Sequence, residues 1–512
     1  MKERPLWQAL QAYRQAGIVG LHMPGHGQGR AFAKHPLTVD LDVTEVPGLD
    51  DLHAPTGPIQ AAQQLAAEAF GADETFFLVQ GATVGIQALF LGMLKPGDRV
   101  LLPRASHRAA FGAMVLSGAV PSYVPPICEP GTGLPIGTDW SAVTESVVTE
   151  SVVTDLVVTE SADMKPAATQ PAAALAACLA LRPTYWGIAE DLAPWRRIAQ
   201  AQQVPLWVDE AHGGAFAFSG ALPTPALELG AQAVVQGSHK TLPVLTQAAM
   251  LHLRLGADDP PGWRDASLRI RQALTVQQTT SPSYLLMASL DLARAQLEEC
   301  GDELWARTMA RADQLRKKLK RLKGFHLWGE EILSCVPGSI LDRTRLMIAW
   351  SAGAFTGFTA RQWLRRQWGI EAELAGRDHL LFLLSPFDAP GTDDKLEQAV
   401  TALAEELAGS PGSGADGRNG ASWSALFRHL PPAVCTPREA FFAPRRIVPW
   451  REAQGQVIGE MICPYPPGIP LVVPGEVLTA EVCEAVALLG QAGAQWQGPA
   501  DPTLATIAIL DE

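Results

Sequence analysis

Two short segments carry side chains suited to covalent chemistry on a carbonyl group, Asp209-Glu210-Ala211-His212 and Ser238-His239-Lys240. Each follows an apolar run, Leu206-Trp207-Val208 before the acid and Ala233-Val234-Val235 before the lysine. Apolar runs of this length, edged by polar loops, suit buried strands of a parallel sheet. Side chains at the carboxyl ends of such strands project into the crevice where open α/β sheets bind ligands. An acid and an amine delivered there from two strands meet the needs of pyridoxal 5'-phosphate. The amine forms a Schiff base with the cofactor aldehyde, and the carboxylate keeps the pyridine nitrogen protonated so that the ring accepts electrons.

Asp-Glu-Ala-His also occurs as the magnesium motif of nucleic-acid helicases. That chemistry needs a G-x-x-x-x-G-K-[ST] loop, which the sequence lacks. In Gly237-Ser238-His239-Lys240-Thr241 a histidine stands where the required glycine would be, and the segment follows the acid instead of preceding it. Taken alone, the two segments also fit strand ends with an incidental acid and an incidental lysine. The rest of the chain argues otherwise.

Phe76-Phe77-Leu78-Val79 reads as a third buried strand, running into Gln80-Gly81-Ala82-Thr83 and then a helical pattern through Ile86, Leu89, Phe90 and Leu94. A small-residue turn opening a helix offers free N–H groups and the positive end of the helix dipole, a seat for phosphate. Arg99-Val100-Leu101-Leu102 forms the next strand and delivers Ser106-His107-Arg108. The His107 imidazole could stack on a flat heteroaromatic ring, or be a capping or surface histidine.

With these segments the chain resembles the Orn/Lys/Arg decarboxylase family of fold type I pyridoxal-phosphate enzymes, in the compact form without an N-terminal wing domain. Matching segments run nearly end to end: His22-Met23-Pro24-Gly25-His26, residues 44–52 and 76–83, Pro96-Gly97-Asp98, and residues 209–213 and 236–242. They continue in residues 281–286, Pro437-Arg438-Glu439-Ala440, residues 464–470 and Pro474-Gly475-Glu476. The resemblance implies an α/β fold with a mainly parallel seven-stranded sheet in the large domain and smaller α+β domains towards the C-terminus. It implies that Lys240 carries pyridoxal 5'-phosphate as a Schiff base and that Asp209 pairs with the pyridine nitrogen. His107 would stack on one ring face with Ala211 under the other, and His212 would lie near the reacting side. Gly81, Ala82, Thr83, Ser238 and His239 match positions around the phosphate. Ser283 matches a segment that approaches the cofactor from a neighbouring subunit, which implies a homodimer or higher homo-oligomer.

Two departures from the family pattern stand out. Gln80-Gly81-Ala82-Thr83 replaces the usual Asn-Gly-Ser/Thr-Thr, and Gly237-Ser238-His239-Lys240 replaces Ser-Thr-His-Lys. Each is expected to remove a hydroxyl hydrogen bond to phosphate, at roughly 1.5–3 kcal/mol for a bond to a charged group. They bear on cofactor affinity and leave Lys240, Asp209 and His107 in place.

The chain of 512 residues is long enough for several domains. Apolar content of 47% and charged content of 18% exclude general disorder. A net charge of -13 argues against a nucleic-acid partner. Seven cysteines, scattered without metal-ligand spacing, fit reduced thiols in a cytoplasmic enzyme. Met1-Lys2-Glu3-Arg4-Pro5-Leu6 lacks the apolar core of a signal peptide, and no run is long enough to span a bilayer. His22 and His26 have helix-compatible spacing for a metal, but Pro24-Gly25 between them breaks the helix that would align their rings, so no metal site is expected.

Residues 1–55 read as a leading helix and an irregular arm, and 56–295 as the cofactor-binding large domain with alternating strands and helices. Within it, 142–165 form a low-complexity insertion, in which 142–161 repeat a Val-Val-Thr-Glu-Ser-like unit every five residues. That period matches neither helix nor strand and is expected to form a surface loop without catalytic role; the alternative is a small β excursion, since Val and Thr favour strands. Residues 296–408 read as a small α/β domain, 409–421 as a linker and 422–512 as a C-terminal decarboxylase domain. The run Arg316-Lys317-Lys318-Leu319-Lys320-Arg321 reads as a solvated helix face.

The function that the resemblance implies is decarboxylation of a basic amino acid, arginine or lysine before ornithine, to an amine of the polyamine pathway. The distal cation of such a substrate needs a carboxylate partner, and Asp50, Asp51 and Glu476 are the candidates in family-matched motifs. Two other readings use the same residues. One is another fold type I reaction, aminotransfer or Cβ-side-chain cleavage; the other is a catalytically silent regulatory homologue.

Overall fold

The computed structural model describes residues 2–16, 23–24, 28, 30–32, 39–143, 174–350, 355–409, 427 and 430–511. His22, His26, the linker beyond residue 409 and the repeat from residue 144 onward lie outside the described residues. The chain divides into two compact units, Met1–Leu94 with Trp195–Ala306, and Lys95–Pro194 with Arg307–Glu512.

Seven strands form the main sheet: β1 (Glu74–Leu78), β2 (Arg99–Pro103), β3 (Val120–Val124), β4 (Leu175–Leu181), β5 (Leu206–Asp209), β6 (Ala233–Gln236) and β7 (Ala249–Leu253). Their order is β1-β7-β6-β5 in the first unit and β4-β2-β3 in the second. β5 pairs parallel with β6, and β2 pairs parallel with both β3 and β4. β7 runs antiparallel to both its neighbours. β5 and β6 are buried at every residue, which is why they read as unbroken apolar runs rather than alternating ones.

In the first unit the core includes an aromatic cluster, in which Trp207 packs against Phe90 and Trp263. The helix Pro5–Gln15 has no side-chain cap from its own N-cap residue. Its Leu6 and Trp7 amides donate instead to Asp291, whose other oxygen accepts from Arg294 at 2.7 Å. Asp291 lies in a 36-residue helix, Tyr284–Leu319. That helix continues unbroken through residue 295, where the sequence suggested a domain boundary.

In the second unit a four-stranded antiparallel sheet joins His326–Leu327, Arg345–Ala349, His379–Leu383 and Leu374–Ala375 in that order. It shares one apolar core with residues of the helices Gly357–Trp368 and Thr392–Gly409. Nearer the C-terminus, Arg445–Pro449 pairs with Thr506–Leu510 over a core that includes Leu471, Val472 and Val486 of the same region.

Candidate active site

In the first unit, the parallel register sets Asp209, the last residue of β5, beside Val235 of β6. β6 ends at Gln236, and a single 3-10 turn, Ser238–Lys240, brings Lys240 back over the strand ends. The Lys240 ammonium Nζ lies 2.9 Å from His212 Nε2. Asp209 is buried, and its Oδ1 accepts from the Ala211 amide at 3.1 Å. Burial pushes the Asp209 carboxyl up, opposed by the positive charge of Lys240 and the Ala211 amide. A buried carboxyl in that state is poised to be stabilised as an anion by a further cation. The protonated pyridine nitrogen of pyridoxal 5'-phosphate is such a cation.

The strand ends are fixed by a buried polar chain that the sequence did not reveal as a unit. Gln236 Nε2 donates to Glu210 at 2.8 Å, and the other Glu210 oxygen accepts from the Ala226 amide at 2.9 Å. The Gln236 oxygen accepts from His252 Nε2 at 3.1 Å, and Thr75 donates to His252 Nδ1 at 2.8 Å. Phe70 stacks on the His252 ring, with centroids 4.4 Å apart. Glu210 follows Asp209 and Gln236 precedes the lysine turn, so one hydrogen bond ties together the Asp209 and Lys240 segments. The available signal was a histidine in the middle of an apolar strand, Ala249-Met250-Leu251-His252-Leu253.

The phosphate-matching residues are placed as follows. Gly81 opens the helix Gly81–Met93 with φ of +76°, and its amide donates to the Gln247 carbonyl at 2.9 Å. The Gly81 N–H is therefore taken, and the amides of Ala82 and Thr83 lead the helix. First-turn amides have no acceptor within their own helix. The Ser238 hydroxyl is fully buried without a hydrogen-bond partner, as is Thr241 Oγ1. A buried, unpartnered hydroxyl fits a site that receives phosphate oxygens. His239 Nδ1 meets the Ala248 carbonyl at 3.1 Å, and burial, with Lys240 adding to it, holds its imidazole below the usual range.

Ala211 is buried beside Asp209. Ser283 precedes the long helix Tyr284–Leu319, and its hydroxyl accepts from the Leu286 amide at 3.4 Å. In the second unit, His107 is the N-cap of the helix Arg108–Ser117, its Nδ1 accepting from the Ala109 amide at 3.2 Å.

Two of the three acids suggested for the substrate cation have other partners. Asp50 accepts from five backbone amides, those of Asp51 and Thr56 on one oxygen and of Gly57, Ile59 and Gln60 on the other. Burial alone would push its carboxyl up, but the Thr56, Asp51, Gly57 and Gln60 amides outweigh it and hold the group low. A carboxylate has about four lone-pair sites, so Asp50 is a cap for the helix Pro58–Phe70 and not a free acceptor. Glu476, in the second unit, is buried with one oxygen shared between Arg104 at 3.0 Å and the Val473 amide at 2.9 Å. Its charge already has a guanidinium. Asp51 accepts from one backbone amide, that of His53, at 2.9 Å.

Among the described residues, no group of three or more His, Cys, Asp or Glu could hold a metal ion, and no helix is long and apolar enough to cross a membrane. None of the seven cysteines is in a disulfide.

Residues 4–351 match the model for the Orn/Lys/Arg decarboxylase major domain, and residues 421–496 match the model for its C-terminal domain. The chain is 35% identical to an arginine decarboxylase of Bacillus subtilis over 518 aligned residues, covering 100% of this chain and 98% of the relative. An arginine decarboxylase of Halalkalibacterium halodurans is 34% identical with the same coverage. Among solved structures, a lysine decarboxylase of Francisella novicida superposes with a TM-score of 0.79 at 19% identity, covering 99% of this chain and 81% of that one. At that identity the superposition shows a shared fold, the fold type I architecture expected above.

Proposed function

Because the chain belongs to the Orn/Lys/Arg decarboxylase family, we propose that it is a pyridoxal 5'-phosphate-dependent carboxy-lyase that removes the α-carboxylate of arginine as carbon dioxide. The observation that carries this reading is the Lys240–His212 contact beside the buried Asp209 carboxyl. Arginine comes first because the full-length relatives at 35% and 34% identity bear that name. Lysine is the second substrate to test, and ornithine the third.

When bound, the cofactor supplies an electron sink for the pair released as the bond from Cα to the carboxylate breaks. Lys240 supplies the amine that anchors it. Asp209 keeps a proton on the ring nitrogen, because a cation there relieves its own burial. Ala82, Thr83, Ser238 and His239 hold the phosphate, and His107 and Ala211 are assigned to the two ring faces. The Lys240 Nζ and His212 Nε2 pair is the proton source for Cα after carbon dioxide leaves. Asp51 is the remaining candidate, of the three acids, for the distal guanidinium of the substrate. The active assembly is a homodimer or larger, with Ser283 approaching a neighbouring site, and it works in the cytoplasm. Its product amine belongs to the polyamine pathway.

The reading is tested by adding pyridoxal 5'-phosphate to the cofactor-free chain. A visible absorption band and arginine-dependent carbon dioxide release are expected. A chain that develops no band would instead fit a silent homologue.

A further inference from the structure

Arg104 is a fully buried arginine in the second unit, and its guanidinium donates to acceptors in the C-terminal region of the chain. Nη1 donates to the Pro470 carbonyl at 2.8 Å, and Nη2 donates to the Leu471 carbonyl at 3.1 Å and to Glu476 at 3.0 Å. The guanidinium lies 5.4 Å from the ring centroids of both Phe111 and Tyr123. One cation thus clamps both the end of the 464–470 loop and the Glu476 turn.

Two residues before Pro470, the same loop meets His107 at Gly468. Gly468, with φ of +86°, accepts from the Arg108 amide at 2.9 Å through its carbonyl. A Cβ on Gly468 would lie 2.9 Å from both Cδ2 and Nε2 of His107. The absence of a side chain at Gly468 is what lets the backbone press against the imidazole edge, and the positive φ favours glycine there as well. The contact falls on the ring's Cδ2–Nε2 edge, while Nδ1 is fixed by the Ala109 amide. The imidazole is therefore held from two sides.

We propose that Arg104 and Glu476 are positioning residues that hold the 464–470 loop, through Gly468, against the His107 ring. The C-terminal domain then acts as a buttress for the residue assigned to the cofactor face. Glu476 takes a role in the site without touching substrate. The catalytic consequence rests on the proposed function above; the mechanical coupling does not.

Two measurements on the full-length chain test this. The first is a double-mutant cycle on pyridoxal 5'-phosphate affinity, read from the visible band in a titration. Gly468→Ala should weaken binding about tenfold when His107 is present and less than about twofold in a His107→Ala background, the size of coupling seen between touching residues. Equal losses in both backgrounds would overturn the coupling. The second is hydrogen exchange at the Arg108 amide without cofactor. Glu476→Gln and Arg104→Lys should each speed it by about tenfold, while the Met114 amide deeper in the same helix stays unchanged. Unchanged Arg108 protection in both variants would overturn the clamp. A wild-type chain that shows no band strikes the cofactor reading alone, and the exchange measurement then decides the positioning claim.

Discussion

Lys240 Nζ and His212 Nε2 stand 2.9 Å apart at the ends of two neighbouring parallel strands. The approach follows from local geometry. Each strand ends in a tight turn, and the buried Gln236–Glu210 hydrogen bond fixes one turn against the other. An amine within hydrogen-bond reach of an imidazole can exchange a proton with it directly.

Lys240→Ala should abolish both turnover and the visible band given by added pyridoxal 5'-phosphate, while the protein stays folded by circular dichroism. Lys240 is half-buried at the mouth of the strand ends, so its removal leaves no core cavity. A band persisting in the variant would mean that another lysine anchors the cofactor.

Asp209→Asn should still bind cofactor but lose activity by about a hundredfold or more, the scale expected when a group that stabilises developing charge is neutralised. Asn keeps an oxygen that can accept from the Ala211 amide, so the fold is retained and the charge alone is lost. Near-normal turnover would take Asp209 out of the mechanism.

The stability of the first unit should depend on pH through His252. Burial pushes this imidazole down to about 3 from an ordinary 6.5. Below 6.5 the unfolded chain takes up a proton that the native ring refuses, so stability is full above 6.5 and is lost as pH falls towards 3. The loss is about 2 kcal/mol by pH 5. In urea denaturation, wild type should lose that much more than His252→Gln between neutral pH and pH 5. Parallel pH profiles for the two proteins would contradict this.

The placement of Asp209 and Lys240 at strand ends was legible because fully buried strands leave a strong mark, an apolar run edged by polar residues. Leu206–Asp209 and Ala233–Gln236 both carry that mark. The roles of Asp50 and Glu476 were not legible. A carboxylate that caps a helix eight residues away, or pairs with an arginine 372 residues distant, leaves no periodic trace in sequence. The same holds for His252, whose partners Thr75 and Gln236 come from two different strands. Gly81 was placed correctly at a helix start, yet its amide is taken by Gln247 from a distant loop.

The active protein should run in light scattering at twice the 54.7 kDa of one chain or more, because Ser283 is assigned to a neighbouring subunit's site. A fully active preparation of single-chain mass would contradict that assignment.

The most direct test supplies arginine, lysine and ornithine in parallel to the cofactor-loaded protein and measures the amine and carbon dioxide formed from each. The account predicts equimolar amine and carbon dioxide, with arginine turned over fastest. If none of the three yields its amine while an amino acid is transaminated or cleaved at Cβ, the decarboxylase assignment fails although the cofactor site stands.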